Sequence, residues 1–422
     1  MARMRGSLIA MRITRARIAM KTLAVGQLLV VFYRPPETAP LGEIHNVSHC
    51  RLVGQTEDLG SNTSRVKMKR YGNLYPMIYD RANILAAHQN ARKGKRFYRE
   101  VIMVDKNPEK YVNAIHGMLK NKTFRNATYE IFTRVECGKS REIAKVAYYP
   151  DRIIHHAIMN VLEPIWVRLF IRDTYASMKG RGIHDGLRRI QGFLKDEQGT
   201  RYCLKLDVRK FYPSIDHGIL KEIIRRKIKC QDTLWILDEI INSSPGVPIG
   251  NYLSQYFANL YLAYFDHWAK EEKHLQYYAR YCDDIVVLHH DKSFLHGVLR
   301  EIADYFKTNL NLSVKTNWQV FPTRVRGLDF LGYRFFGSHT LIRQRIAKAY
   351  KARSKNIAKR NMATAGDICA IMSYFGWFVH ANGRNLWRRY STQTSSQMEK
   401  ACERLNTKNP YLKGDAQCTA TA

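Results

Sequence analysis

Acidic residues are scarce in this chain of 422 residues: 36 Asp and Glu stand against 69 Lys and Arg, a formal net charge of +33. That imbalance goes far beyond what solubility asks for and implies a polyanionic partner, held largely through counterion release. Paired cysteines are missing too. The eight, at 50, 137, 203, 230, 282, 369, 402 and 418, are scattered singly, with no Cys-x-x-Cys pair and no His at zinc spacing. We therefore expect reduced thiols in a cytoplasmic protein. The apolar run from Thr22 to Tyr33 is too short to span a bilayer. Arg34-Pro35-Pro36 follows where a signal peptide would carry a small-residue cleavage site, so no membrane association is expected. Residues 1–67 read as an N-terminal extension, partly disordered or upstream of the true start, with Met68 a natural first residue of the domain.

What is present is length and aromatic content. A chain of this size buries a large core and is not a small binding module. Its 25 Tyr, 17 Phe and 6 Trp suit base stacking as well as core packing. Pro35 to Ser64 has linker composition, and the character changes from Tyr71 onward. Ala82 to Ala87 has helical spacing, and Arg92 to Arg99 is a basic run. Tyr129 to Val135 and Ser140 to Val146 read as two strands of a hairpin carrying basic side chains. Helices are expected over Asp151–Phe170, up to Leu194, and as one long, largely buried helix over Tyr252–Trp268. Strands are expected at Tyr202–Leu206 and, folded back around Cys282-Asp283, within Leu275–Leu288. This order predicts an α+β fold with helices behind one face of a sheet. Basic and aromatic helical segments after Phe336 suggest a separate lobe.

Two acids side by side, Asp283-Asp284, stand between Tyr277 to Tyr281 and the apolar Ile285 to Leu288. In a strand their side chains would point to opposite faces; a turn lets both approach one cleft. Such a pair is costly unless something cationic binds it. A third acid, Asp207, ends the apolar strand Leu204-Lys205-Leu206. Brought together, Asp207, Asp283 and Asp284 suit two Mg²⁺ ions for in-line phosphoryl transfer, with Mn²⁺ as a substitute.

On Asp207 and the Tyr281-Cys282-Asp283-Asp284 box, the chain resembles a reverse transcriptase over about Met68 to Phe336, with a thumb-like region beyond. The resemblance implies a right-hand polymerase: fingers with the start of the palm at 68–200, an RRM-like palm sheet with primer grip at 201–338, a helical thumb at 339–405 and a tail at 406–422. It implies DNA synthesis from dNTPs on an RNA template. Asp207, Asp283 and Asp284 take the metal, and Lys315 resembles the lysine that protonates departing pyrophosphate. Around the nucleotide the resemblance places Arg134, Lys139, Arg141, Val208, Tyr212, Ile249, Gly250 and Gln255. Arg141 would grip the triphosphate with its planar fork. Tyr212 matches the steric gate against a 2′-hydroxyl. Gly327 to Tyr333 resembles the primer grip, whose glycines allow close backbone approach.

The segment Gly246-Val247-Pro248-Ile249-Gly250-Asn251-Tyr252-Leu253-Ser254-Gln255 distinguishes among such enzymes. Gly250 would free the backbone to approach the nascent base pair, and Asn251 or Ser254 can cap the helix. Group II intron enzymes usually carry Gln where this chain has Ile249. The pattern resembles reverse transcriptases of diversity-generating retroelements, which copy a template repeat RNA with errors at adenine and work with a basic, oligomeric accessory variability protein. Losing a polar check beside the templating base should weaken rejection of mispairs. No RNase H constellation, His-Asn-His endonuclease or integrase-like zinc motif is evident. A bacterial or phage-encoded enzyme is expected. A defence-associated or group II intron-like reverse transcriptase is the alternative, and an RNA-binding scaffold with a polymerase fold the non-enzymatic one.

Overall fold

The computed structural model describes residues 69–136 and 138–407. The extension, Met68 and most of the C-terminal tail lie outside these residues, as does the side chain of Lys139. Helices α1 (Tyr75–Tyr79), α2 (Arg81–Ala91), α3 (Arg99–Lys106) and α4 (Pro108–Lys120) precede a hairpin of β1 (Glu130–Glu136) and β2 (Lys139–Lys145). Next come α5 (Ile153–Val167), α6 (Ile183–Phe193), β3 (Tyr202–Asp207), α7 (His217–Arg225) and α8 (Gln231–Ile241). They are followed by α9 (Tyr252–Tyr261), α10 (Ala263–His267), β4 (Tyr277–Tyr281), β5 (Asp284–His289), α11 (Lys292–Leu310) and β6 (Gln319–Pro322). The chain continues through β7 (Leu328–Phe330), β8 (Tyr333–Phe335), β9 (Thr340–Ile342), α12 (Gln344–Ala358), α13 (Ala365–Phe378) and α14 (Arg384–Thr407).

The central sheet is antiparallel, in the order β4-β5-β3-β6. Alternation along each strand sends side chains to opposite faces. Leu204, Leu206, Tyr278, Ile285 and Val287 enter the larger core, which also holds residues of α5, α7, α8, α9 and α11. Cys203, Ala279, Val286, Leu288 and Phe321 enter a second core with residues of α6, the β7-β8-β9 sheet and the C-terminal helices. The sheet is thus covered on both faces, not one as expected, and this accounts for the unbroken apolar run Ile285 to Leu288. Each fully buried Ile, Val or Leu there contributes about 1.5–3 kcal/mol.

The C-terminal helices likewise share this second core with the sheet instead of forming one of their own. The long helix expected over Tyr252–Trp268 is divided at Leu262 (φ −98°, ψ 1°) into α9 and α10. Helix α11 shows how local signals set an element. Asp291 accepts a hydrogen bond from Ser293 N at 2.7 Å, Asn311 ends the helix in left-handed geometry (φ 49°), and Leu295, Leu299, Ile302 and Phe306 form the buried stripe between. Among the described residues no helix is long and apolar enough to cross a membrane.

Candidate active site

Asp207 ends β3, and its register partner on β5 is Asp284, so the two share one face of the sheet with Lys205. Between β4 and β5, Tyr281 pairs with Asp284 and leaves Cys282 and Asp283 as the two-residue turn. Cys282 takes φ +57°, a region costly to a side chain other than Gly or Asn. Asp283 projects from this turn beside Asp207. Burial, then the Asp207 charge, holds the Asp283 carboxyl well above the usual carboxylate range. Burial also pushes Asp284 up to about 6, against the opposing pull of Lys205.

Two lysines lie against these acids. Lys315 Nζ is 3.1 Å from Asp207 Oδ2, and its backbone N–H donates to Asp207 O at 2.9 Å, so the segment after α11 runs beside the end of β3. Lys205 Nζ is 3.3 Å from Asp284 Oδ2 and also donates to Asp329 O. Asp284 is thereby turned toward Lys205. Among the described residues no three His, Cys, Asp or Glu side chains are gathered closely enough to hold one ion. The donors nevertheless suit a hard divalent cation: Asp207 and Asp283 are close enough for their charges to interact, and Asp284 Oδ1 is buried without a partner.

Tyr212 is half-buried beside the turn, its hydroxyl 3.5 Å from Cys282 Sγ. Val208 is 2% exposed and bridges Val314, so its side chain belongs to the core and only its backbone is available to a nucleotide. On the hairpin, Arg134 and Arg141 face each other across the strands, both exposed. Like charges directly opposed are unfavourable alone and favourable around an anion.

The loop before α9 is held to this hairpin. Ala144 N donates to Ile249 O at 2.7 Å. Gly250 has φ +117°, and a Cβ there would lie 2.5 Å from Ala144 O. That close approach is to the hairpin backbone. Asn251 caps α9, accepting from Leu253 N at 3.0 Å while its amide donates to the Tyr129 hydroxyl at 3.1 Å. Ser254 is buried with its hydroxyl unpartnered, so it is not the cap. Ile249 is half-buried and Gln255 exposed.

The sequence profile described as "Reverse transcriptase (RNA-dependent DNA polymerase)" matches residues 122–335, half of the chain. The chain belongs to the reverse transcriptase family. Among curated relatives, "Protein YkfC" of Escherichia coli (strain K12) is 24% identical over 242 residues, 47% of this chain and 63% of that one. "Group II intron-encoded protein LtrA" of Lactococcus lactis subsp. cremoris is 22% identical over 215 residues, 47% of this chain and 35% of that one. The chain thus spans less than two thirds of the length of either relative. Among solved structures, a telomerase from Candida albicans in complex with a TWJ fragment of telomeric RNA aligns with a TM-score of 0.44 at 11% identity, covering 66% of this chain and 58% of that one.

One part of this candidate site escaped the sequence reading. Arg280 and Asp266 are both 0% exposed, with Arg280 Nε 2.7 Å from Asp266 Oδ1 and Nη2 2.5 Å from Oδ2. Tyr278 and Thr174 hydroxyls also donate to Asp266, at 2.6 and 3.0 Å. The remaining guanidinium nitrogen, Nη1, donates to Cys282 O at 2.9 Å, bracing the left-handed residue of the turn from behind. The signal was one charged residue inside the buried strand Tyr278 to Arg280.

Proposed function

We propose that the protein is an RNA-templated DNA polymerase, with fingers at 68–200, palm at 201–338 and thumb at 339–405. The observation that carries this reading is the convergence of Asp207, its register partner Asp284 and the turn residue Asp283 at one end of the sheet, flanked by Tyr212 and Lys315. Asp207, Asp283 and Asp284 would hold divalent cations, two Mg²⁺ or Mn²⁺ in their place. Bound there, the cations supply charge neutralisation for the triphosphate and acidify the primer 3′-hydroxyl. Arg141, with Arg134 opposite, grips the triphosphate of the dNTP; Lys139 is assigned there on the sequence alone. The Tyr212 ring limits space beneath the sugar. Lys315, bonded to Asp207 Oδ2 before a nucleotide arrives, carries the proton for departing pyrophosphate. The backbone at Val208, with Gly250 and Gln255, completes the nucleotide surroundings, and the template RNA and cDNA account for the net charge of +33.

Within the family we assign the chain to the error-prone type of diversity-generating retroelements. On this reading it is a bacterial or phage-encoded cytoplasmic enzyme that copies a template repeat RNA with mistakes at adenine, beside a basic accessory protein. Ile249 supports this: an apolar side chain stands where a glutamine would monitor the template. A group II intron-like enzyme is the second reading, favoured by the 22% identity to LtrA. Sequencing cDNA made on a defined RNA separates them. Errors concentrated at template adenines, and reduced by Ile249→Gln, uphold the first; evenly faithful copying favours the second. No cDNA at all, with RNA binding intact, would leave a scaffold.

A further inference from the structure

Away from the aspartates, the fingers hold a group of cations that make no ion pair among the described residues. Arg152, just before α5, is half-buried, and no acceptor among the described residues takes a hydrogen bond from its guanidinium. Lys95, in the turn between α2 and α3, is likewise half-buried and without an ion pair among those residues. Lys95 is held below its usual range by burial and then by the Arg152 charge, while burial lowers Arg152 against the pull of Tyr148, Tyr98 and Glu100. His156 lies one helical turn beyond Arg152 and is kept neutral by burial and by the Arg152, Lys95 and Lys93 charges. Its ring stacks on Tyr252 at 4.2 Å with 14° between planes, which sets the group beside the Ile249–Asn251 loop. Neither nearby acid hydrogen bonds to these cations. Glu100 accepts from Tyr148 N at 2.6 Å, and Asp151 from Ala127 N at 2.8 Å. Two half-buried cations side by side lose hydration and repel one another unless an anion joins them.

Beside them stand two large exposed aromatics. Phe97 is 62% and Tyr98 49% exposed, with ring centroids 4.8 Å apart at 85°. Cations for the backbone and aromatic faces for the bases are the two halves of single-strand recognition. We propose that Lys95, Arg152 and His156 form a phosphate seat for the single-stranded template RNA as it approaches the Ile249–Asn251 loop, with Phe97 and Tyr98 as its stacking platform. This rests on the reading of the protein as an RNA-copying enzyme. Phosphate is offered equally by a nucleoside triphosphate, but the exposed aromatic pair favours a polynucleotide.

The test uses the full chain and a short fluorescein-labelled single-stranded RNA, titrated at several salt concentrations without nucleotides. Lys95→Gln with Arg152→Gln should weaken binding roughly ten-fold and flatten the salt slope by about 0.7 for each phosphate the protein ceases to neutralise. Phe97→Ala with Tyr98→Ala should weaken binding with the slope unchanged. The dNTP KM on a preannealed primer-template should not move in either variant. Unchanged RNA affinity and slope in the double glutamine variant would overturn the seat. A raised dNTP KM with RNA affinity intact would assign the phosphate to the triphosphate and overturn the strand. Lys95→Gln alone, in a surface turn, keeps the test readable if the Arg152 variant does not fold. Because binding is read without synthesis, a protein that binds RNA through this seat yet extends no primer would sink the polymerase reading and leave the seat standing.

Discussion

Replacing Asp266 by Asn tests whether the buried ion pair sets the geometry of the Cys282-Asp283 turn or merely fills the core. Asp266 accepts four hydrogen bonds, two from Arg280 at 2.7 and 2.5 Å and one each from Tyr278 and Thr174, and neither charge reaches solvent. Removing one partner of such a pair leaves the other charge uncompensated and costs about 3–5 kcal/mol. Against a total stability of about 5–15 kcal/mol that is a large fraction. Asp266→Asn and Arg280→Met should therefore each lower the melting temperature by on the order of 10 °C. The double variant Asp266→Leu with Arg280→Met leaves no buried charge and should recover most of that loss. It cannot restore the 2.9 Å bond to Cys282 O, so the left-handed residue stays unbraced and kcat should remain low while the dNTP KM changes little. Thermal melts and steady-state primer extension read the two effects separately. Recovery of kcat together with stability would refute the positioning role, and a loss below about 1 kcal/mol in the single variants would refute the energetics.

Asp283→Asn should reduce cDNA synthesis by about a thousand-fold, the loss of several kcal/mol of charge stabilisation, with RNA affinity unchanged in a filter-binding assay. Gly250→Ala places a Cβ 2.5 Å from Ala144 O at φ +117°, so we expect about 1–3 kcal/mol of destabilisation by denaturant titration. Hydrogen exchange should rise in the β1–β2 hairpin of that variant, because the loop and hairpin share the Ala144–Ile249 bond. Stability should fall as pH drops from about 6.5 toward 4: burial lowers His155 to about 3 and His156 to about 4, so the unfolded chain takes up protons that the folded one refuses. His156→Gln should shallow that dependence in melts taken across the range; an unchanged slope would count against its being buried neutral.

What the sequence determined by itself was local. The apolar strand ending in Asp207, the Tyr-Cys-Asp-Asp turn between β-forming runs, the basic hairpin and the cap at Asn251 all follow from period, turn chemistry and neighbouring residues. The tertiary structure decided which groups meet. Nothing near Lys315 in the sequence places it on Asp207, 108 residues away. Arg280 finds Asp266 across two elements, and Gly250 lies against a strand more than a hundred residues earlier. Coverage of the central sheet on both faces, and the meeting of Lys95 with Arg152, are of the same kind. Periodicity records only whether a position is buried; the partner of a buried or half-buried charge is chosen by packing between distant segments, and the energies at stake appear only once that packing exists.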